Sequence, residues 1–139
     1  AASNSRGGAA ALPSSPVRPA PAARRYRGQR QTKFVIRSAF GGANEAFVVS
    51  GSEDSQVYVW HRHNARLLEV LPGHSGTVNA VAWNDDASLL LSGSDDLCVC
   101  VWGTGAGFPL RGSAFTGHRH NIFSAEFVPG EPNGARCVG

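Results

Sequence analysis

The sequence predicts an all-β fold built from a repeated sheet unit, and two observations support this. Short apolar runs alternate with turns rich in Gly, Asn, Asp and Ser, and no stretch keeps a helical period. A set of residues also recurs: Trp60 and Trp102 are 42 residues apart, and the Gly-His pairs that end in His74 and His118 are 44 residues apart. A period of about 40–45 residues, with Gly-His and Trp near its ends, is typical of a β-propeller blade.

The repeat sets the predicted boundaries. One unit covers residues 33–71, a second covers residues 72–115, and a truncated third covers residues 116–139. The strands are predicted at residues 34–40, 47–50, 56–60, 65–71, 78–83, 89–92, 98–102, 108–115, 121–127 and 136–138, and the one at 108–115 is weak because Gly and Pro interrupt it. Residues 33–139 therefore predict a partial propeller of about two and a half blades.

Residues 1–32 differ in composition from the rest of the chain. They are rich in Ala, Pro, Ser and Arg, and Leu12, Val17 and Tyr26 are their only larger apolar residues. Such a stretch buries too little apolar surface to offset the entropy lost on ordering, so we predict a disordered leader. An Arg- and Ala-rich leader without acidic residues also resembles a transit peptide, but a flexible linker is the favoured interpretation.

The basic charge belongs to the first part of the chain. Eight of the thirteen Lys and Arg residues precede Ser38, whereas the residues from Ser38 onward contain five Arg and ten acidic residues. A mildly acidic body without a basic stripe argues against nucleic-acid binding. No apolar run is long enough for a membrane span, and no signal peptide is recognisable.

The cysteines and the ends of the sequence give expectations about the redox environment and about whether the sequence is part of a longer chain. An odd number of cysteines (Cys98, Cys100 and Cys137) favours reduced thiols of an intracellular protein over a disulfide framework. The absence of Met, and a C-terminal ARCVG that looks like half a strand, predict an excerpt of a longer protein.

The stretch GHSGTVNAVAW…LLLSGSDDLCVCVW resembles the WD40-repeat family. The resemblance implies a hydrogen-bonded structural tetrad of His74, Ser92, Asp96 and Trp102. Imidazole and indole N–H groups, a hydroxyl and a carboxylate can satisfy one another when buried, which is a physical reason to use these four groups.

A Ser-His-Asp hydrolase is the catalytic alternative for the same residues. The serine lies in SGSDD at a strand end, without a G-x-S-x-G elbow, and the motif recurs with the repeat period. We therefore predict no catalytic residue, and no cofactor or metal.

The first unit has an incomplete copy of the tetrad, consisting of Ser50, Asp54 and Trp60. Counting back 18 residues from Ser50, the spacing between His74 and Ser92, leads to Thr32 and to no Gly-His pair. An incomplete tetrad fits a terminal or excerpted blade.

Two finer resemblances point to ubiquitin ligases. FVIRSAFGGANEAFVVSGSEDSQVYVWHR is similar to the WD-repeat subunit of GID/CTLH-type ligases over about residues 33–80. GHSGTVNAVAWNDDASLLLSGSDD with GHRHNIFSAEFVPG is similar to WD-repeat substrate receptors of cullin-4 ligases over about residues 72–130. Many cullin-4 receptors carry W-D-x-R, whereas the third residue after each Trp here is His63 or Gly105, which favours the GID/CTLH assignment.

Two His-Arg-His runs, at residues 61–63 and 118–120, each offer two imidazole nitrogens to a metal ion. Two nitrogens without a third ligand favour solvated loops over a metal site. Cys98 and Cys100 share strand parity with Trp102 and are interpreted as inert core residues. Loop residues of a propeller usually meet its partners, so the candidate partner contacts are Arg62, Arg119, His120 and Asn121.

The predicted function is a non-catalytic protein–protein interaction scaffold in a ubiquitin ligase complex, in the cytoplasm and/or nucleus. A WD-repeat scaffold of an RNA or chromatin complex and a hydrolase are the alternatives. Because a propeller needs at least about four blades to close, residues 33–139 alone are expected to self-associate through unpaired edges and faces.

Overall fold

The computed structural model describes residues 23–129 and 135–138. Its first sheet holds β1 (Ser38–Gly41), β2 (Phe47–Ser50), β3 (Gln56–His61) and β4 (Leu67–Pro72), and its second holds β5 (Val78–Trp83), β6 (Leu89–Ser94), β7 (Cys98–Gly103) and β8 (Leu110–Phe115). A third sheet pairs β9 (Ser124–Phe127) with β10 (Ala135–Val138). Each sheet pairs its strands antiparallel in chain order, which confirms the all-β prediction.

Four strands begin later than predicted. β4 starts at Leu67 rather than at residue 65, because Ala65 has a φ of 59° and belongs to the preceding loop. β1 starts at Ser38 rather than at residue 34, because Phe34 and Val35 find no partner strand and stay exposed. β8 starts at Leu110, since Phe108 leaves the strand path with a φ of 47° and enters the core. β9 starts at Ser124, two residues after the buried Ile122. Besides the strands, a 3-10 turn at Ala43–Glu45 follows β1.

The main core lies between the first two sheets. Alternation along β3 points Val57 and Val59 toward the second sheet, whereas Cys100 and Trp102 on β7 point back toward the first. Other buried members of this core are Val49, Leu71, Val78, Val81, Leu90 and Phe108. Cys98, Cys100 and Trp102 share one parity, but Cys98 is half-buried and only the other two belong to this core. The interpretation as a core residue is therefore right for Cys100 and wrong for Cys98. Two sheets stacked in this way have the packing of neighbouring propeller blades.

Two glycines of the repeated SGS sequence let successive units approach closely. A Cβ at Gly51 would lie 2.1 Å from the carbonyl oxygen of Val78, and one at Gly93 would lie 2.6 Å from Cγ2 of Ile122. The amide of Val78 also donates to the carbonyl of Ser52 at 3.0 Å. The motif thus fixes where each following unit begins.

Residues 23–32 differ from the disordered leader that the composition predicts. They lie along the outer face of the first sheet, where Tyr26 packs edge-on against Trp60 with ring centroids 5.9 Å apart. The amide of Arg30 donates to the hydroxyl of Ser52 at 2.8 Å. The side chains of Arg24, Tyr26 and Thr32 and several backbone hydrogen bonds hold this segment. Composition alone does not reveal such contacts. The prediction of disorder for residues 1–22 lies outside the described residues.

Among residues 23–129 and 135–138, no helix is long and apolar enough to cross a membrane.

Candidate functional site

Four polar residues of the second sheet meet at one end of the sheet. Ser92 on β6 pairs with Cys100 on β7, two residues before Trp102. Asp96 lies in the β6–β7 turn, and His74 lies in the connection before β5. The Nε2 atom of His74 is 2.8 Å from Oγ of Ser92, and its Nδ1 atom is 3.0 Å from Oδ2 of Asp96. The indole Nε1 of Trp102 donates to Oγ of Ser92 at 2.9 Å.

One assignment of protons satisfies all three contacts. Nδ1–H of His74 donates to the Asp96 carboxylate, and the Ser92 hydroxyl donates to Nε2 of His74. The Ser92 oxygen in turn accepts from Trp102. The structure therefore brings His74, Ser92, Asp96 and Trp102 into one chain of hydrogen bonds with a consistent direction.

Electrostatics favour an ionised Asp96. Burial alone would raise the pKa of this carboxyl group, but hydrogen bonds from the amides of Ser75 and Cys98 and from His74 outweigh it and lower the pKa. The two amides donate to Asp96 at 2.9 Å each. Asp96 thereby ties the segment before β5 to the β6–β7 turn.

The connectivity from Asp96 through His74 to Ser92 is that of a hydrolase triad, but the surroundings differ. Ser92 is 0% exposed, and its oxygen already accepts a hydrogen bond from Trp102. Gly73 brings the backbone against this indole, since a Cβ there would lie 2.9 Å from Cη2 of Trp102. A nucleophile needs an accessible oxygen next to a substrate carbonyl, and this one has no open side.

The structure does not bring Ser50, Asp54 and Trp60 of the first sheet together. The hydroxyl of Ser50 donates to the carbonyl of Gly51, and the indole of Trp60 donates to the carbonyl of Arg27 at 2.8 Å. Asp54 accepts from the phenol of Tyr58 at 2.5 Å. Each of the three polar groups thus has a partner outside the set.

Sequence reasoning missed the part that Tyr58 has in the first sheet. Tyr58 occupies the strand position of Cys100, 42 residues earlier, and its ring stacks on Trp60 at 5.8 Å. The hydrogen bond to Asp54, followed by burial, raises the pKa of Tyr58 to about 12. A tyrosine in place of the cysteine at this repeat position could have indicated this role. The carbonyl of Arg27 could not have been identified from the sequence, since every residue has a backbone carbonyl.

A second serine of the repeat was also missed. Ser94 donates to the carbonyl of Gly76 at 2.9 Å, and Ser52 contacts both the amide and the carbonyl of Arg30. Both serines are fully buried. Each one ties the segment before its sheet to the turn after the second strand, and its recurrence in SGS was the available signal.

The candidate partner contacts are split between the two ends of the sheets. Arg62 lies in the β3–β4 loop, where its amide donates to the carbonyl of Ala46. Arg119, His120 and Asn121 lie before β9, beside the β6–β7 turn, where the amide of Ile122 donates to the carbonyl of Ser94. In an antiparallel sheet these two kinds of connection lie at opposite ends. Arg62 therefore does not share a surface with the other three residues.

The cysteines and histidines show no metal cluster in the described part of the chain. His61 and His63 have ring centroids 5.7 Å apart in the β3–β4 loop, without a third ligand. Cys98 and Cys100 are free thiols, and burial raises the pKa of Cys100 to about 11. A thiol with so high a pKa is a poor nucleophile and a poor metal ligand. The side chain of Cys137 lies outside the described residues.

Comparison with curated proteins gives relatives that are much longer than the aligned region. The chain is 51% identical over 80 residues to "WD repeat-containing protein 26 homolog" of Arabidopsis thaliana, which is 57% of this chain and 14% of that protein. It is 44% identical over 80 residues to "GID complex subunit 7" of Schizosaccharomyces pombe, which is 57% of this chain and 16% of that protein. The resemblance to a GID/CTLH-type WD-repeat subunit is confirmed, whereas the names of these relatives do not test the resemblance to cullin-4 receptors.

Comparison with solved structures gives the same fold. The "Myceliophteria_thermophila Cps50 (Swd1) beta-propeller domain" aligns with a TM-score of 0.67 at 21% identity, covering 81% of this chain and 33% of that one. At this identity the likeness shows the fold alone. The WD domain, G-beta repeat family matches residues 25–61 and 65–103, which together are more than half of the chain. The chain therefore belongs to the WD40-repeat family, and its four-stranded sheets are blades of a WD40-type β-propeller.

Proposed function

We propose that the chain is a non-catalytic protein-interaction scaffold in a ubiquitin ligase complex of the GID/CTLH type. The proposal that the chain is non-catalytic rests on the surroundings of Ser92, which is buried and hydrogen-bonded to both His74 and Trp102. The most triad-like group in the described residues therefore serves to brace a blade, with the loops left to meet partners.

The ligase assignment is supported by the relatives. One of them is called a GID complex subunit and aligns with this chain over 80 residues. Because that match spans 16% of the relative, membership of such a complex is a proposal for this chain. We place the protein in the cytoplasm and/or nucleus, which a fluorescent fusion would test.

Affinity capture tests the proposal. The tagged chain, expressed in cells of its source, should retain RING-bearing ubiquitin ligase subunits. A matched Gly51→Val variant should lose them, because a side chain at this position meets the Val78 carbonyl at the contact between blades. Capture of RNA-binding or chromatin proteins without ligase subunits would replace this proposal by the other kind of scaffold.

A further inference from the structure

A group formed by basic residues and one exposed aromatic ring lies at one end of the first blade. We call it the basic–aromatic patch and define it by five residues, which are Arg24, Phe40, Arg62, His63 and Arg66. Arg24, Phe40, His63 and Arg66 are exposed and Arg62 is half-buried. The patch lies at the end of the blade opposite to the turn that holds Asp54.

Hydrogen bonds hold the members of the patch together. Nε of Arg24 donates to the carbonyl of His63 at 2.6 Å, which joins the N-terminal segment to the β3–β4 loop. The carbonyl of Arg66 accepts from the amide of His61 at 2.8 Å, which closes that loop. These contacts fix the backbone that carries three arginines, so their positive charges are held near one another before any partner binds.

Arg62 is the best-positioned member of the patch. Its amide donates to Ala46 at 2.8 Å, and its carbonyl accepts from the phenol of Tyr26 at 2.6 Å. Its guanidinium lies 5.1 Å from the centroid of the Phe40 ring and donates from Nη1 to Glu45 at 3.0 Å. A guanidinium has five N–H donors, so donors remain available for a carboxylate of a partner.

The patch also offers apolar surface. Phe40 is 57% exposed, and the half-buried Arg62 covers only part of its ring. Aromatic residues and Arg are the types that most often anchor protein partners. An acid-rich partner would therefore meet the patch best if it also carried an apolar side chain.

We infer that the basic–aromatic patch binds an acidic segment of a partner protein, with an apolar side chain of that segment on Phe40. Charge complementarity supports this, because the three arginines outnumber Glu45, the acidic side chain that contacts the patch in the described residues. A protein segment is favoured over nucleic acid because the body of the chain beyond Ser38 is acidic and has no continuous basic stripe. The inference rests on the proposed scaffold function and names the surface that would serve it.

Fluorescence anisotropy on the full chain tests the inference. The probes are a labelled peptide of Glu and Ser with one central Phe, the same peptide with Ser in place of Phe, and a labelled single-stranded oligonucleotide. Reversing two charges with Arg62→Glu and Arg66→Glu together should weaken binding of the Phe peptide about tenfold or more, and added salt should weaken it as well. Phe40→Ser should weaken binding of the Phe peptide about threefold and leave the peptide without Phe unchanged.

The double variant Lys33→Glu/Arg37→Glu is the matched control, because it reverses two exposed charges at the other end of the first blade, beside the β2–β3 turn. It should leave peptide binding within about twofold of the unmodified chain. Equal loss in the Lys33/Arg37 variant and in the Arg62/Arg66 variant would overturn the inference in favour of unspecific attraction. Tighter binding of the oligonucleotide through the same arginines would overturn it in favour of a nucleic-acid surface. Ligase subunits captured equally well by the Arg62/Arg66 variant would leave the proposed function intact and overturn only the patch as its contact.

Discussion

The two blades carry the same motif but hold it in different ways. In the second blade, SGSDDLCVCVW forms a closed chain from Asp96 through His74 and Ser92 to Trp102. In the first blade, SGSEDSQVYVW has no histidine to accept from its serine, and Trp60 donates instead to the N-terminal segment. The polar groups are conserved between the two copies, but their partners are not.

The difference between the two blades shows which hydrogen-bond partners the motif requires. A buried indole N–H and a buried carboxylate need partners of the right polarity, whichever residues supply them. The first blade meets this need with the carbonyl of Arg27 and the phenol of Tyr58. Its stability therefore depends on the segment that precedes it, whereas the second blade is closed by its own repeat.

Among the changes that test this contrast, removing residues 1–32 should have the largest effect, which is on the oligomeric state. It would take away the backbone carbonyl that accepts from Trp60 and the Tyr26 ring that covers it, and so expose an aromatic face of the first blade. We expect residues 33–139 to form larger oligomers in sedimentation velocity than residues 23–139. A monodisperse monomer of residues 33–139 that unfolds cooperatively would contradict this prediction.

The two glycines that mark the contacts between units should differ in their sensitivity. At Gly51 a new Cβ meets the fixed Val78 carbonyl, so Gly51→Ala should lower the free energy of unfolding by about 3 kcal/mol. At Gly93 the Cβ meets the side chain of Ile122, which can rotate, and the expected loss is about 1 kcal/mol.

Urea denaturation at one fixed chain concentration measures both changes. Gly105→Ala is the control, because nothing lies within 4 Å of a Cβ at that position. Equal losses at Gly51 and Gly93 would show that the backbone between the blades yields as easily as a side chain does.

Ser92→Ala and Ser50→Ala should separate the closed tetrad from the open one. Ser92→Ala leaves the buried indole of Trp102 without its acceptor, so we expect a loss of about 1–3 kcal/mol in the free energy of unfolding. Ser50→Ala removes a hydroxyl that donates only to the neighbouring Gly51 carbonyl, and about 0.5 kcal/mol should be lost. A hydrolase would behave differently: any ester turnover by the chain that Ser92→Ala abolishes would make Ser92 a nucleophile.

The smallest expected effect concerns the end of the N-terminal segment. Glu53 accepts from the hydroxyl of Thr32 at 2.7 Å and from the amides of Thr32, Lys33 and Phe34. The hydroxyl bond and the three amides outweigh desolvation and lower the pKa of Glu53 from 4.5 to about 2. A lowered pKa in the folded state means that this attachment is complete above pH 4.5 and is lost as the pH falls toward about 2.

Hydrogen exchange of the amides of residues 32–34 measures this attachment. In the unmodified chain, these amides should lose protection from exchange as the pH falls toward about 2. Glu53→Gln should lower their protection already at neutral pH and remove its dependence on acid. Glu45→Gln, which affects only the ion pair with Arg62, should change neither. An acid response that persists in Glu53→Gln would place the titrating group elsewhere.

Much of this fold could be predicted from the sequence, because repeat period and alternation are local signals. The strands that bury one face, such as β5 and β7, were placed within a residue of their observed ends. β1 was placed too early, since Phe34 and Val35 have strand propensity and yet lack a partner, and propensity alone does not supply one.

The candidate site, like the fold, could be predicted from the sequence only in part. The residues of the second-blade set were found from spacing and family resemblance, and the structure brings all four together. The partners of the first-blade set could not be found in that way, because a backbone carbonyl and a tyrosine from outside the expected positions supply them. Arg62 and Arg119 lie at opposite ends of the sheets because of the way the strands are connected. That arrangement is visible only when the complete sheets are known.

A pair of double-mutant cycles would measure the contrast between the blades directly. One cycle combines Ser92→Ala with Trp102→Phe, and the other combines Ser50→Ala with Trp60→Phe, with urea denaturation as the readout. A closed tetrad in the second blade alone predicts a coupling free energy of about 1 kcal/mol or more in the first cycle and near zero in the second. Equal couplings in the two cycles would contradict it and would mean that both copies of the motif are held in the same way.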